Sequence, residues 1–159
     1  MADIETRVNE NSPIGFFHLD ACLTNLEKYL HHPTNPVVKA ALAHLQFETI
    51  HPFLDGNGRV GRLLITLLFC HDKILHKPLL YPSLYFKQHR QQYYDELNAV
   101  RASGDYEHWI DFFAEAIRHS AEVAIETGRR VTQAFHESRV PSAPAFNARA
   151  DLVLWICCS

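Results

Sequence analysis

The chain predicts an all-α fold, a compact helical bundle around a buried central helix. Three observations carry the prediction. Apolar residues recur at helical spacing through most of the chain. Strict apolar–polar alternation is missing over any convincing length, so strands are at most minor. Proline, glycine and asparagine punctuate the sequence at intervals that leave room for about five helices joined by short connections.

The first 18 residues are polar and irregular and end in the turn-like NENSPIG. From Asp20, a candidate N-cap, Leu23, Leu26 and Leu30 mark a helix that stops before Pro33. Asn35 followed by Pro36 is an N-cap with proline in the first turn. That helix is expected to run to about Thr49 with Val38, Leu42 and Leu45 along one stripe, and His51–Pro52 ends it. PFLDGNG cannot be regular helix. A helix then starts at Gly58 and runs to about His71, apolar all round through LLITLLF and therefore expected to be the buried axis.

After the connector KPLLYP, Ser83 is read as the cap of one long helix to about Ala102, which Ser103–Gly104 breaks. Asp105 opens another, with Trp109, Phe112, Phe113, Ala116 and Ile117 as its apolar stripe and growing polarity from Arg118 to Arg130. The expected organisation is an irregular segment 1–18, a helical domain 19–130 and a tail 131–159, to whose apolar run Leu152–Cys157 no role is assigned.

Composition narrows the function classes. A chain of 159 residues fits one domain, and 47% apolar with 21% charged residues is ordinary for a soluble globular protein. With 15 basic against 18 acidic side chains and a net charge of -3, a general nucleic-acid binder is disfavoured. MADIETRVN holds no apolar run, so no signal peptide is read, and the greasy stretch Leu63–Cys70 is too short to span a bilayer. Cys22, Cys70, Cys157 and Cys158 lack metal-ligand spacing. A cytoplasmic protein with free thiols and no membrane partner is the expectation.

The chemistry concentrates in His51-Pro52-Phe53-Leu54-Asp55-Gly56-Asn57-Gly58-Arg59-Val60-Gly61-Arg62. Gly56 and Gly58 let backbone amides face a ligand without an intervening side chain. The first turn of the helix they feed has unpaired N–H groups and partial positive charge, a natural anion cradle. Arg59 and Arg62, three apart, add two cations on one helical face. Asp55 needs a cation or a backbone amide to justify its charge there, and a magnesium ion held by one carboxylate plus substrate phosphates fits. His51 is the loop's one group able to take a proton near neutral pH. Base, metal ligand and phosphate cradle together describe phosphoryl-type transfer, catalysed mainly by position and electrostatics.

HPFLDGNGRVGR also fills every fixed position of the Fic signature, His-x-Phe-x-Asp/Glu-Gly-Asn-Gly-Arg-x-x-Arg. LAHLQFETI, GRLLITLLF, KPLLYPSLYF and YYDEL are similar to bacterial Fic proteins, so the resemblance runs from about Leu23 to Ile117. It implies an all-helical domain that moves AMP from ATP to a Ser, Thr or Tyr hydroxyl of a target protein, releasing pyrophosphate. By the same resemblance His51 deprotonates the hydroxyl, Phe53 anchors the loop in the core and Asp55 ligates Mg2+. Gly56 to Gly58 form the phosphate nest, Asn57 contacts phosphate, Arg59 supports the nest and Arg62 holds the terminal phosphate. Intact Gly56, Gly58 and both arginines favour nucleotidyl transfer over the family's phosphorylating branch.

Two departures qualify the resemblance. Family members carry a β-hairpin flap that docks the target. Here only about fifty residues precede His51, and two helices already occupy that region. Either residues 1–18 supply a shortened substitute or target docking is defective, leaving a nucleotide-binding, non-catalytic module as the alternative. Thr6-Arg7-Val8-Asn9-Glu10-Asn11 formally fits the family's inhibitory helix, with Glu10 the candidate partner of Arg62. If Glu10 makes that contact, removal of AMP from protein joins phosphotransfer among the related activities.

Outside the loop, His44 and Glu48, four apart on a helix, are read as a structural hydrogen-bonding pair. Tyr93 and Tyr94 are packing aromatics on a helix that the resemblance places near the nucleoside. Gly61 is read as easing close helix packing.

Overall fold

The computed structural model describes residues 18–139 and is all-helical there, with no strand. The order is α1 (Leu19–Leu30), α2 (Pro36–Ile50), α3 (Asn57–His71), α4 (Ser83–Gln88), α5 (Arg90–Ser103) and α6 (Tyr106–Arg139). Among the described residues, those through Ala124 form one compact unit and those from Ile125 another, and α6 runs unbroken past residue 130.

The α2 start follows the sequence reading. Asn35 accepts hydrogen bonds from the N–H groups of Val37 and Val38 at 2.9 and 3.3 Å, with Pro36 in the first turn. Those two donors are among the four that every helix start leaves unpaired. Asp20 does not cap α1: the helix begins one residue earlier at Leu19, and Asp20 lies in its first turn, where a negative charge suits the helix dipole.

The buried face of α2 differs from the expected stripe. Ala40, Ala41, Ala43, His44, Leu45, Phe47 and Ile50 are buried, whereas Val38 and Leu42 are only partly so. The small side chains let neighbouring helices approach closely, so α2 is the most enclosed element. The expectation that α3 is buried all round does not hold. Gly61, Ile65, Leu68 and Phe69 face inward, but Leu63 and Leu67 are 56% and 54% exposed. An apolar run fixes which residues can be buried, not how many neighbours arrive to cover them.

The single helix expected over 83–102 is two, separated at His89 with φ -108° and ψ 38°. The His89 ring stacks on Tyr85 at 4.0 Å and its Nδ1 lies 3.1 Å from the Tyr85 carbonyl oxygen, which also accepts the His89 N–H at 2.9 Å, closing the last turn of α4. Nor does Ser83 cap α4, since Pro82 holds the N-cap position. Asp105 does start the last helix as read, accepting from the His108 N–H at 3.4 Å. Trp109, Phe112, Phe113 and Ala116 are buried, and the Trp109 indole donates to the Ala41 carbonyl at 3.0 Å, tying α6 to α2.

Two polar contacts steady α3. Lys39 on α2 pairs with Asp72 just beyond α3 at 2.9 Å, and the Thr66 hydroxyl donates to the Leu80 carbonyl at 3.1 Å. Among the described residues Cys22 and Cys70 are free thiols, and no helix is long and apolar enough to cross a membrane. Glu10, Cys157, Cys158 and the Leu152–Cys157 run lie outside the described residues.

Candidate active site

The loop between α2 and α3 is shaped by two left-handed residues. His51, half-buried, ends α2 with φ 50° and ψ 57° while its N–H still bonds the Phe47 carbonyl at 3.0 Å. A non-glycine residue in this region is uncommon, and histidine tolerates it better than most. Gly56 caps α3 with φ 87°, a conformation that glycine adopts at little cost. Its carbonyl accepts from the N–H groups of Arg59 and Val60, both at 3.0 Å, which starts the helix. As the first helical residues, Asn57 and Gly58 have no carbonyl one turn back to bond. Their amides are the donors that the sequence reading assigns to an anion cradle.

The loop is held closed by the Asn57 side chain and not by the Phe53 ring. The Asn57 side chain is buried: its oxygen accepts from the Phe53 N–H at 2.9 Å and its amide donates to the Phe53 carbonyl at 2.6 Å. It closes the loop and leaves its backbone N–H, not its side chain, for an anion. The Phe53 ring does not anchor the loop in the core, being 40% exposed at 6.3 Å from the Phe47 ring. The anchor is Phe53's backbone, because a buried amide demands both a donor and an acceptor and this turn supplies both.

The two arginines also part company. Arg59 folds over Gly56 and pairs with Asp55 at 3.1 Å, both side chains well exposed. The other Asp55 oxygen accepts from the Gly56 N–H at 2.6 Å, so a backbone amide supplies one of the two justifications for that charge. Arg62 folds over Gly58, its Nη1 only 3.0 Å from where a Cβ would stand. It then reaches a cavity of about 330 Å³ shared with Phe86, Lys87, Arg90, Tyr93 and Tyr94. Three cations and three aromatic rings line a space at the lower end of small-ligand sites. Arg90 lies over the Tyr94 ring at 5.7 Å, a cation–π contact that holds it there.

Sequence reasoning missed Lys87 and Arg90, although Lys87, Arg90 and Tyr94 are spaced three and four apart, the signal of a shared face. Its reading of His44 and Glu48 as a bonded pair is corrected. His44 is fully buried and its Nε2 bonds the Tyr93 hydroxyl at 3.0 Å, while His44 Nδ1 and Glu48 Oε1 have no hydrogen-bond partner. Burial takes the His44 pKa down to about 4; the Gly61 carbonyl opposes that shift, without hydrogen-bond geometry to Nδ1, and Arg62 adds to it. Burial pushes the Glu48 carboxyl up, against the charges of His51, Arg62 and Arg101, so base and phosphate-binding candidates both bear on one carboxylate.

Gly61 is where α3 meets this pair. A Cβ there would sit 2.7 Å from Glu48 Oε1 and 3.1 Å from His44 Nδ1. Gly61→Ala is expected to lower stability despite its gain in helix propensity of about 1 kcal/mol. The overpacking costs about 1–3 kcal/mol, because the His44 ring has no room to withdraw. A thermal melt that rises would contradict that packing.

Residues 5–69, which include the whole loop, match the model of the Fic/DOC family. Over those residues the chain is similar to the Fic/DOC family. Its relatives come from both insects and bacteria, so the bacterial type expected from sequence is too narrow. It is 36% identical over 106 residues to the protein adenylyltransferase Fic of Aedes aegypti, covering 67% of this chain and 19% of that protein. To the Drosophila melanogaster protein of the same name it is 33% identical over 120 residues, covering 73% and 23%. A solved Fic family protein from Desulfovibrio desulfuricans G20 superposes with a TM-score of 0.62 at 29% identity, covering 70% of this chain and 34% of that one. The chain thus spans about a fifth of the curated Fic relatives it matches.

Proposed function

We propose that this Fic domain transfers AMP from ATP to a hydroxyl side chain of a target protein, with release of pyrophosphate. One observation carries the proposal: the helix start whose amides are open also places Arg62 over Gly58 and into a cavity lined by Lys87, Arg90 and two tyrosines. A cradle for phosphates continues into a basic, aromatic space of nucleoside dimensions. The relatives named for adenylyl transfer support the choice of AMP.

On this reading the backbone N–H groups of Asn57 and Gly58 hold phosphate oxygens, Arg62 holds the terminal phosphate and Arg59 supports the loop. The Tyr93 and Tyr94 rings face the nucleoside. His51 takes the proton of the incoming hydroxyl, so that its oxygen attacks the α-phosphorus in line as pyrophosphate leaves. Among the described residues no three acidic, histidine or cysteine side chains gather into a metal site. A magnesium ion would be held by the Asp55 carboxylate together with the substrate's own phosphates. Such an ion supplies charge neutralisation at the leaving pyrophosphate.

The test follows two labels. With ATP labelled at the α-phosphate, a suitable target or lysate is expected to acquire label that stays with protein, whereas γ-labelled ATP leaves none. Transfer of the γ label alone would instead establish phosphotransfer. Arg62→Ala is expected to weaken MgATP binding by about tenfold to a hundredfold, the loss of a charged hydrogen bond to phosphate. Unchanged affinity would remove Arg62 from the phosphate site.

A further inference from the structure

His44 lies between the Phe86 ring at 5.8 Å, 8° from parallel, and the Trp109 ring at 6.2 Å, 18° from parallel. It is fully buried at the meeting of α2, α3 and α6. Packing alone at this point is served by a phenyl ring of similar size. An imidazole instead brings two polar nitrogens that cost free energy to desolvate. One nitrogen is left without a partner at Gly61, and the other spends its bond on Tyr93. Tyr93 is itself buried in the aromatic core, yet it forms a wall of the cavity that Arg62 enters. Of the two rings that belong to both the core and the cavity, Phe86 and Tyr93, the His44 bond is made to the one that carries a hydroxyl.

We propose that His44 is a positioning residue for nucleotide binding: its bond to the Tyr93 hydroxyl fixes the cavity wall beside Arg62. The inference rests on the nucleotide reading above. The connection is a short physical chain. α2 carries His44 toward its centre and ends at His51, while α3 carries Arg62 and packs Gly61 directly on the His44 ring. A Tyr93 ring released from His44 can tilt, because its remaining ring neighbours, Phe86, Tyr94, Trp109 and Phe112, contact it only through ring faces and edges. Such contacts bound the ring's position but leave the tilt of its axis adjustable. The bond at its hydroxyl end fixes that tilt, and with it the shape of the space beside Arg62.

The experiment is a double-mutant cycle on the whole chain, read by calorimetric binding of MgATP and by KM and kcat for transfer. His44→Phe and Tyr93→Phe each delete the bond while keeping an aromatic ring. Each is expected to weaken MgATP binding about fivefold, the worth of one net hydrogen bond, and to raise KM with kcat changed less than about twofold. The double variant is expected to bind no worse than either single one, since both remove the same contact. His44→Gln, whose amide reaches toward the hydroxyl, is expected to recover part of the loss. Wild-type affinity in either single variant, or losses that multiply in the double, would overturn the inference. If His44→Phe does not fold, Tyr93→Phe against His44→Gln decides the same question from the other side of the bond. A wild-type chain that binds no MgATP overturns the nucleotide reading and this inference together, whereas intact wild-type binding with indifferent variants removes the inference alone.

Discussion

Replacing His51 by alanine is expected to reduce transfer of the α-label from ATP by about 10²- to 10⁴-fold, the range for loss of a positioned base. MgATP affinity is expected to change little, because the phosphates are assigned to backbone amides and Arg62. The separation matters: a variant that binds nucleotide normally but transfers nothing isolates the proton step from the cradle. His51 also holds a left-handed backbone that alanine adopts reluctantly. His51→Asn is therefore the better paired control, since asparagine accepts that backbone and still lacks a group that titrates near neutral pH. If either variant keeps wild-type transfer, His51 is not the base.

The largest stability effect is expected at Trp109. Its side chain is fully buried, packs against Tyr93, Phe112 and Phe113 and donates to the Ala41 carbonyl. Trp109→Ala removes that packing, leaves a cavity and deletes a buried hydrogen bond, for a loss of about 3–5 kcal/mol. The natural contrast is Leu63→Ala on α3. Its sequence surroundings are just as greasy, but the side chain is 56% exposed, so a change within about 0.5 kcal/mol is expected. Urea denaturation of both variants measures the difference directly. Equal losses would mean that α3 is as enclosed as its sequence suggests.

Particular residues show what was legible before any coordinates. Asn35–Pro36 reads as a helix start because capping and proline geometry are local, settled within three residues. Asp105 and the stripe of Trp109, Phe112, Phe113 and Ala116 read correctly for the same reason, periodicity on one helix. The loop from His51 to Arg62 shows by residue type which groups the proposed phosphate chemistry would use. What went astray depended on neighbours. The helix expected over 83–102 divided at His89, the Phe53 ring stayed at the surface, and Asn57 spent its amide on Phe53.

By itself, then, the sequence determined the helical class, most helix limits and a loop whose donors suit phosphate, because each is set by short-range geometry and by the chemistry of a few adjacent groups. Only the tertiary structure decided that Arg62 leaves Arg59 to join Lys87, Arg90, Tyr93 and Tyr94 around one cavity, and that His44 bonds Tyr93 instead of Glu48. Those partners lie on α4 and α5, some twenty to fifty residues away along the chain. Which faces meet is settled by how helices pack, and a one-dimensional pattern of side chains does not encode the partner across the groove.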